Sequence, residues 1–326
     1  MSITVVGSVA FDSITTPAGS RERCLGGAAT YFSLAASYFT PVRVVAVVGE
    51  DFTAAEESVF RARSIDLAGL ERAPGKSFFW AGNYLQSLSE AKTEQTDLNV
   101  FADFNPQIPA SYEDTRFLFL ANIDPVLQLR VRQALPGAQL VCGDTMNYWI
   151  HDHREALLRT LAHLDVLLIN DTEARLLSGE SNPLRAAKKI LTLGPRALVV
   201  KHGEYGATAY LGPDLFAAES ASVPSVFRAP ALPLDEVIDP TGAGDSFAGG
   251  FFGYIAAQPE FTPEVLRRAL FYGSVMGSFA VERFGTERLQ QLTRAEIDAR
   301  FAALHQITHL DPIHQIPDLK STGSSR

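Results

Sequence analysis

Short apolar runs alternate with helix-like runs along most of the chain, and this alternation constrains the fold more than any other feature. The strand candidates are apolar at consecutive positions, as expected for strands that helices cover on both faces of a parallel sheet. They are residues 3–9, 42–48, 117–121, 139–141, 166–169 and 197–201. The helix candidates between them are residues 28–38, 54–63, 154–163, 172–177 and 183–193. This order predicts an α/β fold, with a doubly wound, mostly parallel sheet flanked by helices.

Two stretches interrupt the alternation. Residues 11–25 are polar and lack a helical period, and residues 76–101 read as short strands separated by a polar segment. We expect both to form a small, discontinuous β-sheet lid. The α/β domain then comprises residues 1–10, 26–75 and 102–317. The polar tail, residues 318–326, is expected to be disordered.

Charge and composition exclude several classes of protein. The 326 residues contain 28 Lys and Arg against 37 Asp and Glu, a net charge of −9, which argues against a nucleic-acid or anionic-membrane partner. No apolar run reaches the roughly 18 residues that span a bilayer. The two cysteines, Cys24 and Cys142, are expected to be free thiols in a cytoplasmic protein.

The strongest chemical signal is the segment D-P-T-G-A-G-D-S-F-A-G-G-F at residues 239–251. Phe247, Phe251 and Ile255 recur every four residues, which predicts a buried helix whose N-terminus is rich in small residues. A helix N-terminus exposes unpaired N–H groups and a positive dipole end, and glycine lets that backbone approach an anion closely. Asp245 lies in or beside the first turn.

An anion hole beside a carboxylate suits phosphoryl transfer to an alcohol. The hole stabilises charge on the transferring group, and the carboxylate accepts the hydroxyl proton. The alternative is that Asp245 only caps the helix and that the glycines only form a turn. The extended pattern on a buried helix favours the chemical interpretation.

This segment resembles the C-terminal signature of the ribokinase-like (pfkB) carbohydrate kinase family, and further elements follow in family order. G-G-A-A-T at residues 26–30 is similar to the N-terminal signature, N-D-T-E at residues 170–173 to the N-x-x-E element, and K-H-G-E-Y-G-A at residues 201–207 to the nucleotide-binding turn. The resemblance spans nearly the whole chain. It implies the ribokinase-like fold, in which a β lid accompanies the doubly wound sheet.

The resemblance also implies roles for individual residues. Asp245 would be the general base, with Gly242, Ala243 and Gly244 as the anion hole. Substrate would contact Asp12, Gly26, Gly27, Tyr31 and Asp245. ATP would contact Asn170, Glu173, Lys201, Gly203, Gly206, Gly242, Gly244 and Ser274, with Glu173 organising Mg²⁺ through water. Asp239, Thr241 and Gly285 match positions where many members hold a monovalent cation such as K⁺.

The residues themselves support part of this assignment and leave alternatives open. Asn170 and Lys201 each end an apolar strand, at the carboxyl edge where open α/β sheets bind ligands. Taken alone, Glu173 could be an ordinary acid of a first helical turn, and Asp239 a solvated turn residue.

Departures from the family pattern concern specificity. Sugar-binding members commonly carry Asn shortly after the two glycines, where this chain has Thr30 and Tyr31, and Ser274 stands where members often place Asn near the adenine. We expect an ATP-dependent kinase that phosphorylates a hydroxymethyl or similar hydroxyl group of a small sugar. A nucleoside is the second expectation, because Tyr31 and the aromatic lid could stack on a base. A catalytically silent sensor of sugar or nucleotide is the third, and a homodimer through the lid is also expected.

Overall fold

The computed structural model describes residues 2–213, 215–216 and 225–308. Its strands are β1 (Ile3–Val6), β2 (Ala10–Thr16), β3 (Gly19–Gly26), β4 (Val42–Val48), β5 (Asp66–Arg72), β6 (Phe78–Asn83), β7 (Lys92–Asp97), β8 (Phe117–Leu120), β9 (Leu140–Asp144), β10 (Val166–Asn170), β11 (Ala197–Lys201), β12 (Ala207–Leu211) and β13 (Val226–Ala229). Its α-helices are α1 (Ala28–Ala36), α2 (Ala54–Ala62), α3 (Pro125–Ala134), α4 (Asn147–Asp152), α5 (Arg154–Leu161), α6 (Asp171–Ser178), α7 (Pro183–Leu191), α8 (Ala243–Ala256), α9 (Pro263–Ala280), α10 (Glu287–Gln290) and α11 (Arg294–Thr308).

Within the described residues, the main sheet has nine strands in the order β13-β12-β11-β10-β9-β8-β1-β4-β5. The strands from β11 to β5 run parallel to their neighbours, and β12 and β13 pair antiparallel at one edge. In β8, Phe117 and Phe119 enter one apolar cluster while Leu118 and Leu120 enter another, because alternate side chains of a strand point to opposite faces. Helices therefore cover both faces, which confirms the predicted α/β architecture.

The smaller sheet has four strands in the order β3-β2-β6-β7. Strand β2 pairs antiparallel with β3 and parallel with β6. Its strands come from two separate stretches of the chain, in the regions where the sequence predicted a small second sheet. The domain boundaries and the role of this sheet as a lid stay predictions, and residues 318–326 lie outside the described residues.

Helix α8 is packed closely between α1 and α9. A Cβ atom on Gly249 would overlap the carbonyl oxygen of Phe32 in α1, and one on Gly250 would lie 2.6 Å from the carbonyl oxygen of Tyr272 in α9. These two positions need glycine because backbone stands where a side chain would be. The close packing fixes the axis of α8, and with it the position of its N-terminus.

The state of the two cysteines and the search for membrane-spanning helices complete the description of the fold. Both cysteines are free, and Cys142 is buried in β9. Among the described residues, we find no helix with both the length and the apolar character needed to cross a membrane.

Candidate active site

The backbone before α8 has the geometry of an anion site. Gly242 is the N-cap of α8 and lies in the left-handed region at φ 72°, and a Cβ atom there would overlap the Tyr31 ring. Only glycine satisfies both conditions. The first-turn N–H groups of a helix have no acceptor within the helix, and the dipole adds positive charge. The backbone of Gly242 and Gly244 can therefore hold a phosphate group, whereas the Ala243 N–H, also predicted to belong to the anion hole, donates to the Pro240 carbonyl oxygen at 3.2 Å.

Four ionisable side chains from separate elements meet beside this helix end. They are Asp245 in the first turn of α8, Lys201 at the end of β11, Asp144 at the end of β9 and Glu173 in the first turn of α6. The Lys201 Nζ lies 3.0 Å from the position that a Cβ on Gly244 would occupy, so the ammonium group reaches the anion site. The carboxyl ends of parallel strands share one sheet edge, which is why residues distant in sequence converge here.

Burial governs the protonation of these carboxyl groups. It raises the pKa of Asp245 to about 6, against the lowering effect of the Lys201 charge. Burial also raises the pKa of Asp144 well above its ordinary range, and the charges of Asp245 and Glu173 raise it further. Perturbed pKa values of this kind are typical of functional sites.

Asp144 and Glu173 have the donor chemistry for a hard cation. The Oδ1 atom of Asp144 is buried and has no hydrogen-bond partner within the described part of the chain. Within that part, no group of three or more His, Cys, Asp or Glu residues could hold a metal ion. A Mg²⁺ ion in this region would thus need oxygen ligands from water or phosphate, which Mg²⁺ commonly uses.

Asn170 and Glu173 form a reciprocal cap at the start of α6. The Asn170 side chain accepts a hydrogen bond from the Glu173 backbone N–H at 2.8 Å, and the Asn170 backbone N–H donates to Glu173 Oε2 at 2.7 Å. The spacing of the N-x-x-E element therefore has a local structural cause. It also fixes the Glu173 carboxylate at the sheet edge, beside Lys201.

Asp12, in β2 of the smaller sheet, also lies at this site. Its carboxylate accepts a hydrogen bond from the Gly27 backbone N–H and occupies the space that a Cβ on Gly26 would need. Burial, together with the charges of Asp239 and Asp245, raises the pKa of Asp12 to about 7. The two glycines thus allow Asp12 to approach the backbone that leads into α1.

The position of Tyr31 does not allow the predicted stacking of its ring on a base. Its ring is only 1% exposed and lies beneath Gly242, so no face is open to a base. The reason is the close contact of α1 with α8, which the sequence did not reveal. The Tyr31 hydroxyl is buried without a hydrogen-bond partner in the described structure. A contact of Tyr31 with substrate stays a prediction.

The three residues matched to a monovalent-cation site lie together. Asp239 is fully buried; its Oδ1 accepts from the Thr241 backbone N–H and its Oδ2 from the Gly285 backbone N–H, both at 2.8 Å. The solvated-turn alternative for Asp239 is therefore wrong. The carboxylate joins the turn before α8 to the loop at Gly285, and burial raises its pKa.

Three of the predicted nucleotide-binding residues lie in the turn after β11 and on α9. Gly203 (φ 56°) and Gly206 (φ 89°) shape the turn between β11 and β12, where a Cβ on Gly206 would overlap the carbonyl oxygen of Ala229. Ser274 is buried on α9, and its hydroxyl has no partner in the described residues. One helical turn further, a Cβ on Gly277 would lie 3.3 Å from the carbonyl oxygen of Ala243, which places this face of α9 beside the anion site.

Two residues of the site were absent from the sequence-based set. Asp144 ends a buried strand just as Asn170 and Lys201 do, and this position was the signal that could have identified it. Tyr84 follows β6 and accepts a hydrogen bond from the Thr241 hydroxyl at 3.2 Å. In the sequence, the only signal for Tyr84 was its position in the aromatic segment that was predicted to form part of the lid.

Comparison with known proteins identifies the family. The profile of pfkB family carbohydrate kinases matches residues 2–292. The chain belongs to the pfkB family of carbohydrate kinases. It is accordingly a kinase, and the resemblance read from its motifs is confirmed.

The similar proteins are named after different substrates. A protein of Thermococcus kodakarensis named cytidine kinase is 28% identical over 267 residues, which cover 79% of this chain and 90% of that protein. A Burkholderia thailandensis nucleoside kinase solved with inosine superposes with a TM-score of 0.71 at 21% identity, covering 93% of this chain and 99% of that one. An E. coli protein described as a ribokinase II, solved with ATP and Mg²⁺, gives a TM-score of 0.73 at 20% identity, with 92% and 99% covered. The similarity to these two structures shows that the chain has the ribokinase-like fold.

Proposed function

We propose that this pfkB-family kinase is ATP-dependent and phosphorylates the hydroxymethyl group of a nucleoside, with Asp245 as the general base. The observation that carries the proposal is the position of Asp245 in the first turn of α8, directly after the anion-binding backbone and near enough to Lys201 for the Lys201 charge to lower its pKa. In this arrangement Asp245 accepts the proton of the attacking hydroxyl group. The N–H groups of Gly242 to Gly244 stabilise the charge on the transferring phosphoryl group.

The phosphoryl donor is proposed to lie between α8 and the turn that follows β11. Lys201 reaches the anion site at Gly244, and the open space around Gly203 leaves room for a nucleotide against the turn. Ser274 would face the adenine. Asp144 and Glu173 would hold Mg²⁺ through water, and the unpartnered Oδ1 of Asp144 fits this role. When bound, the ion supplies positive charge that offsets the charge of the phosphates.

The acceptor is proposed to lie on the opposite side of Asp245, against the smaller sheet. Asp12 is near enough to Asp245 for the Asp245 charge to raise the pKa of Asp12. In the proposed arrangement, hydroxyl groups of one small molecule contact both carboxylates. The kinship with a protein named cytidine kinase over 79% of the chain supports a nucleoside. A free sugar is the second candidate, because the family profile is that of carbohydrate kinases and Asp12 would bind sugar hydroxyls equally well.

A substrate panel tests this function. Purified protein with ATP and Mg²⁺ would be offered cytidine, uridine, inosine, adenosine, ribose and fructose, and the phosphorylated products would be identified by mass spectrometry. Asp245→Asn serves as the control for contaminating kinases. We expect the highest kcat/KM with a nucleoside. A higher value with ribose or fructose would assign the sugar, and thermal stabilisation by these compounds without turnover would indicate the silent sensor.

A monovalent cation is proposed to bind where Asp239, Thr241 and Gly285 meet. Such an ion would fix the turn that carries Gly242 and so aim the anion-site N–H groups before reaction, an effect typically worth about 10²–10³ in rate. We therefore expect faster turnover in K⁺ than in a bulky organic cation at equal ionic strength, and little difference between the salts for Asp239→Ala. Equal wild-type rates in both salts would leave Asp239 as a residue that only joins two loops.

A further inference from the structure

Tyr84 connects the smaller sheet to the turn that forms the anion site. It follows β6 directly, is 9% exposed, and its backbone N–H donates to the carbonyl oxygen of Thr15 in β2 at 2.8 Å. Its hydroxyl accepts a hydrogen bond from Thr241 Oγ1 at 3.2 Å. Thr241 immediately precedes Gly242, the residue whose left-handed conformation starts α8. The smaller sheet therefore holds the residue next to the anion site.

A second hydrogen bond holds the other end of the same turn. Thr16, the last residue of β2, donates from Oγ1 to the carbonyl oxygen of Ile238 at 2.8 Å. Ile238 precedes Asp239, the carboxylate that joins the turn to Gly285. The segment 238–242 is thus attached to the smaller sheet at both ends, through two side chains of that sheet.

The loop across from this turn also meets the smaller sheet. A Cβ atom on Gly285 would lie 2.8 Å from the Cβ of Cys24 in β3, so backbone and side chain are in direct contact there. Arg21 of β3 also pairs with Glu287 at 3.3 Å, but both side chains are about half exposed, so this ion pair contributes little. The connection therefore includes the part-buried hydrogen bonds of Thr16 and Tyr84 and the contact of Gly285 with Cys24.

The electrostatic surroundings keep the Tyr84 hydroxyl protonated. Burial raises its pKa to about 12, and the charges of Asp239, Asp12 and Asp245 raise it as well. At neutral pH the phenol thus retains its proton, and its oxygen keeps a lone pair for the Thr241 hydroxyl. The hydroxyl therefore lies within the electrostatic influence of three carboxyl groups of the candidate site.

We propose that Tyr84 is a positioning residue that couples the smaller sheet to the geometry of the anion site, through the Thr241 hydroxyl. Movement of the sheet away from the site breaks this bond and the one from Thr16, and the segment 238–242 loses two of its fixed points. The N–H groups of Gly242 to Gly244 are then correctly aimed only when the sheet is closed. An acceptor that holds the sheet closed would thereby complete the site that stabilises the transferring phosphoryl group. This inference rests on the proposed kinase function and adds a residue to it.

Three variants and one matched control test the coupling. Tyr84→Phe removes only the hydroxyl group, Thr241→Val removes the donor, and Thr241→Ser keeps it. Tyr112→Phe is the control, because Tyr112 is another buried tyrosine, whose hydroxyl accepts from the Gly69 N–H and donates to the Asp66 carbonyl away from the site. The measurements are kcat, KM for both substrates, and backbone hydrogen exchange of residues 238–246 without ligands.

The expected result separates positioning from substrate binding. Loss of one hydrogen bond that orients the site should lower kcat about tenfold in Tyr84→Phe and Thr241→Val, with KM for the acceptor within about twofold of wild type. The double variant should fall no further, because both changes remove the same bond. Hydrogen exchange of residues 238–246 should be faster in both single variants and unchanged in Thr241→Ser and Tyr112→Phe.

Two outcomes would overturn the inference. One is Tyr84→Phe with wild-type kcat and wild-type exchange in residues 238–246. The other is a rise in acceptor KM with unchanged kcat and exchange, which would make Tyr84 a substrate contact instead. If the wild-type protein phosphorylates no acceptor in the panel, the proposed function fails, but the exchange comparison still decides whether Tyr84 orders the turn.

Discussion

At the scale of single residues, the site concentrates carboxylates where water cannot solvate them well. Asp12, Asp144 and Asp245 all have raised pKa values, chiefly through burial, and Lys201 is the cation that lowers two of them. Desolvated carboxylates cost folding free energy when they ionise, so selection for stability alone would not assemble them. Their convergence is better explained by a ligand that brings positive charge and hydroxyl groups.

Asp245→Asn tests the base directly. The substitution preserves shape but removes the proton acceptor, so kcat should fall roughly 10²–10⁴-fold while the Kd for ATP changes little. Steady-state rates and nucleotide titration measure the two effects. Asp298→Asn, at an exposed ion pair with Arg294 on α11, is the matched control and should keep wild-type kcat. Near-wild-type turnover in Asp245→Asn would show that another group accepts the proton.

Asp12→Asn tests the cost of burying a carboxylate. The pKa of Asp12 is about 7 in the folded protein and about 3.8 as the ordinary value, so between these pH values the folded state binds more protons than the unfolded state. The stability of the wild type should therefore fall as pH rises from about 4 to 7. At pH 8 the variant should be more stable by on the order of 4 kcal/mol, and this advantage should vanish near pH 4. Urea unfolding at both pH values measures it; an advantage independent of pH would refute the ionisation argument.

At the scale of elements, the sequence predicted the helix that carries Asp245 and the strand ends that face it. Lys201 and Asn170 end apolar strands in the structure as they do in the sequence pattern, because burial on both faces leaves a clear apolar run. Asp144 was missed since the predicted strand stopped at residue 141. Gly143 and Asp144 have low strand propensity, yet tertiary pairing with β8 and β10 extends β9 to residue 144.

The position of Tyr31 shows a second limit of sequence reasoning. Which face of α1 meets α8 depends on contacts between residues more than 200 positions apart, and no local pattern encodes that pairing. The glycines of α8 decide it, since Gly249 and Gly253 let α1 come close enough to bury the Tyr31 ring under Gly242. Local signals therefore located the functional segments, while the packing between those segments came only from the fold.

Gly249→Ala tests this packing. A methyl group there would overlap the Phe32 carbonyl oxygen and lie 2.8 Å from the Ala35 Cβ, so α1 and α8 must separate. We expect the free energy of unfolding to fall by about 1–3 kcal/mol. Gly137→Ala is the control, because a Cβ on this exposed glycine meets nothing within 4 Å and should change stability by less than about 0.5 kcal/mol. Equal unfolding midpoints in urea for the two variants would contradict the close-packing argument.

At the scale of the whole molecule, two sheets of unequal burial face the site. The main sheet is buried on both faces, whereas every residue of β7 and most residues of β3 in the smaller sheet are exposed. Elements with few buried contacts open more readily, and lids over active sites are drawn from such elements. The smaller sheet nevertheless supplies Asp12 and Tyr84 to the site, so its position affects both the acceptor and the anion site. This arrangement supports its predicted role as a lid.

Hydrogen exchange of the smaller sheet tests that role. If the sheet closes over the acceptor and excludes water, exchange in residues 11–25 and 76–101 should slow at saturating acceptor, while the buried strands β10 and β11 should exchange at unchanged rates. The experiment is done at two protein concentrations, because the predicted homodimer through the lid would also protect this sheet. Protection that follows acceptor concentration at both protein levels supports closure. Protection that follows protein concentration without acceptor supports the dimer, and exchange unaffected by saturating acceptor would count against a moving lid.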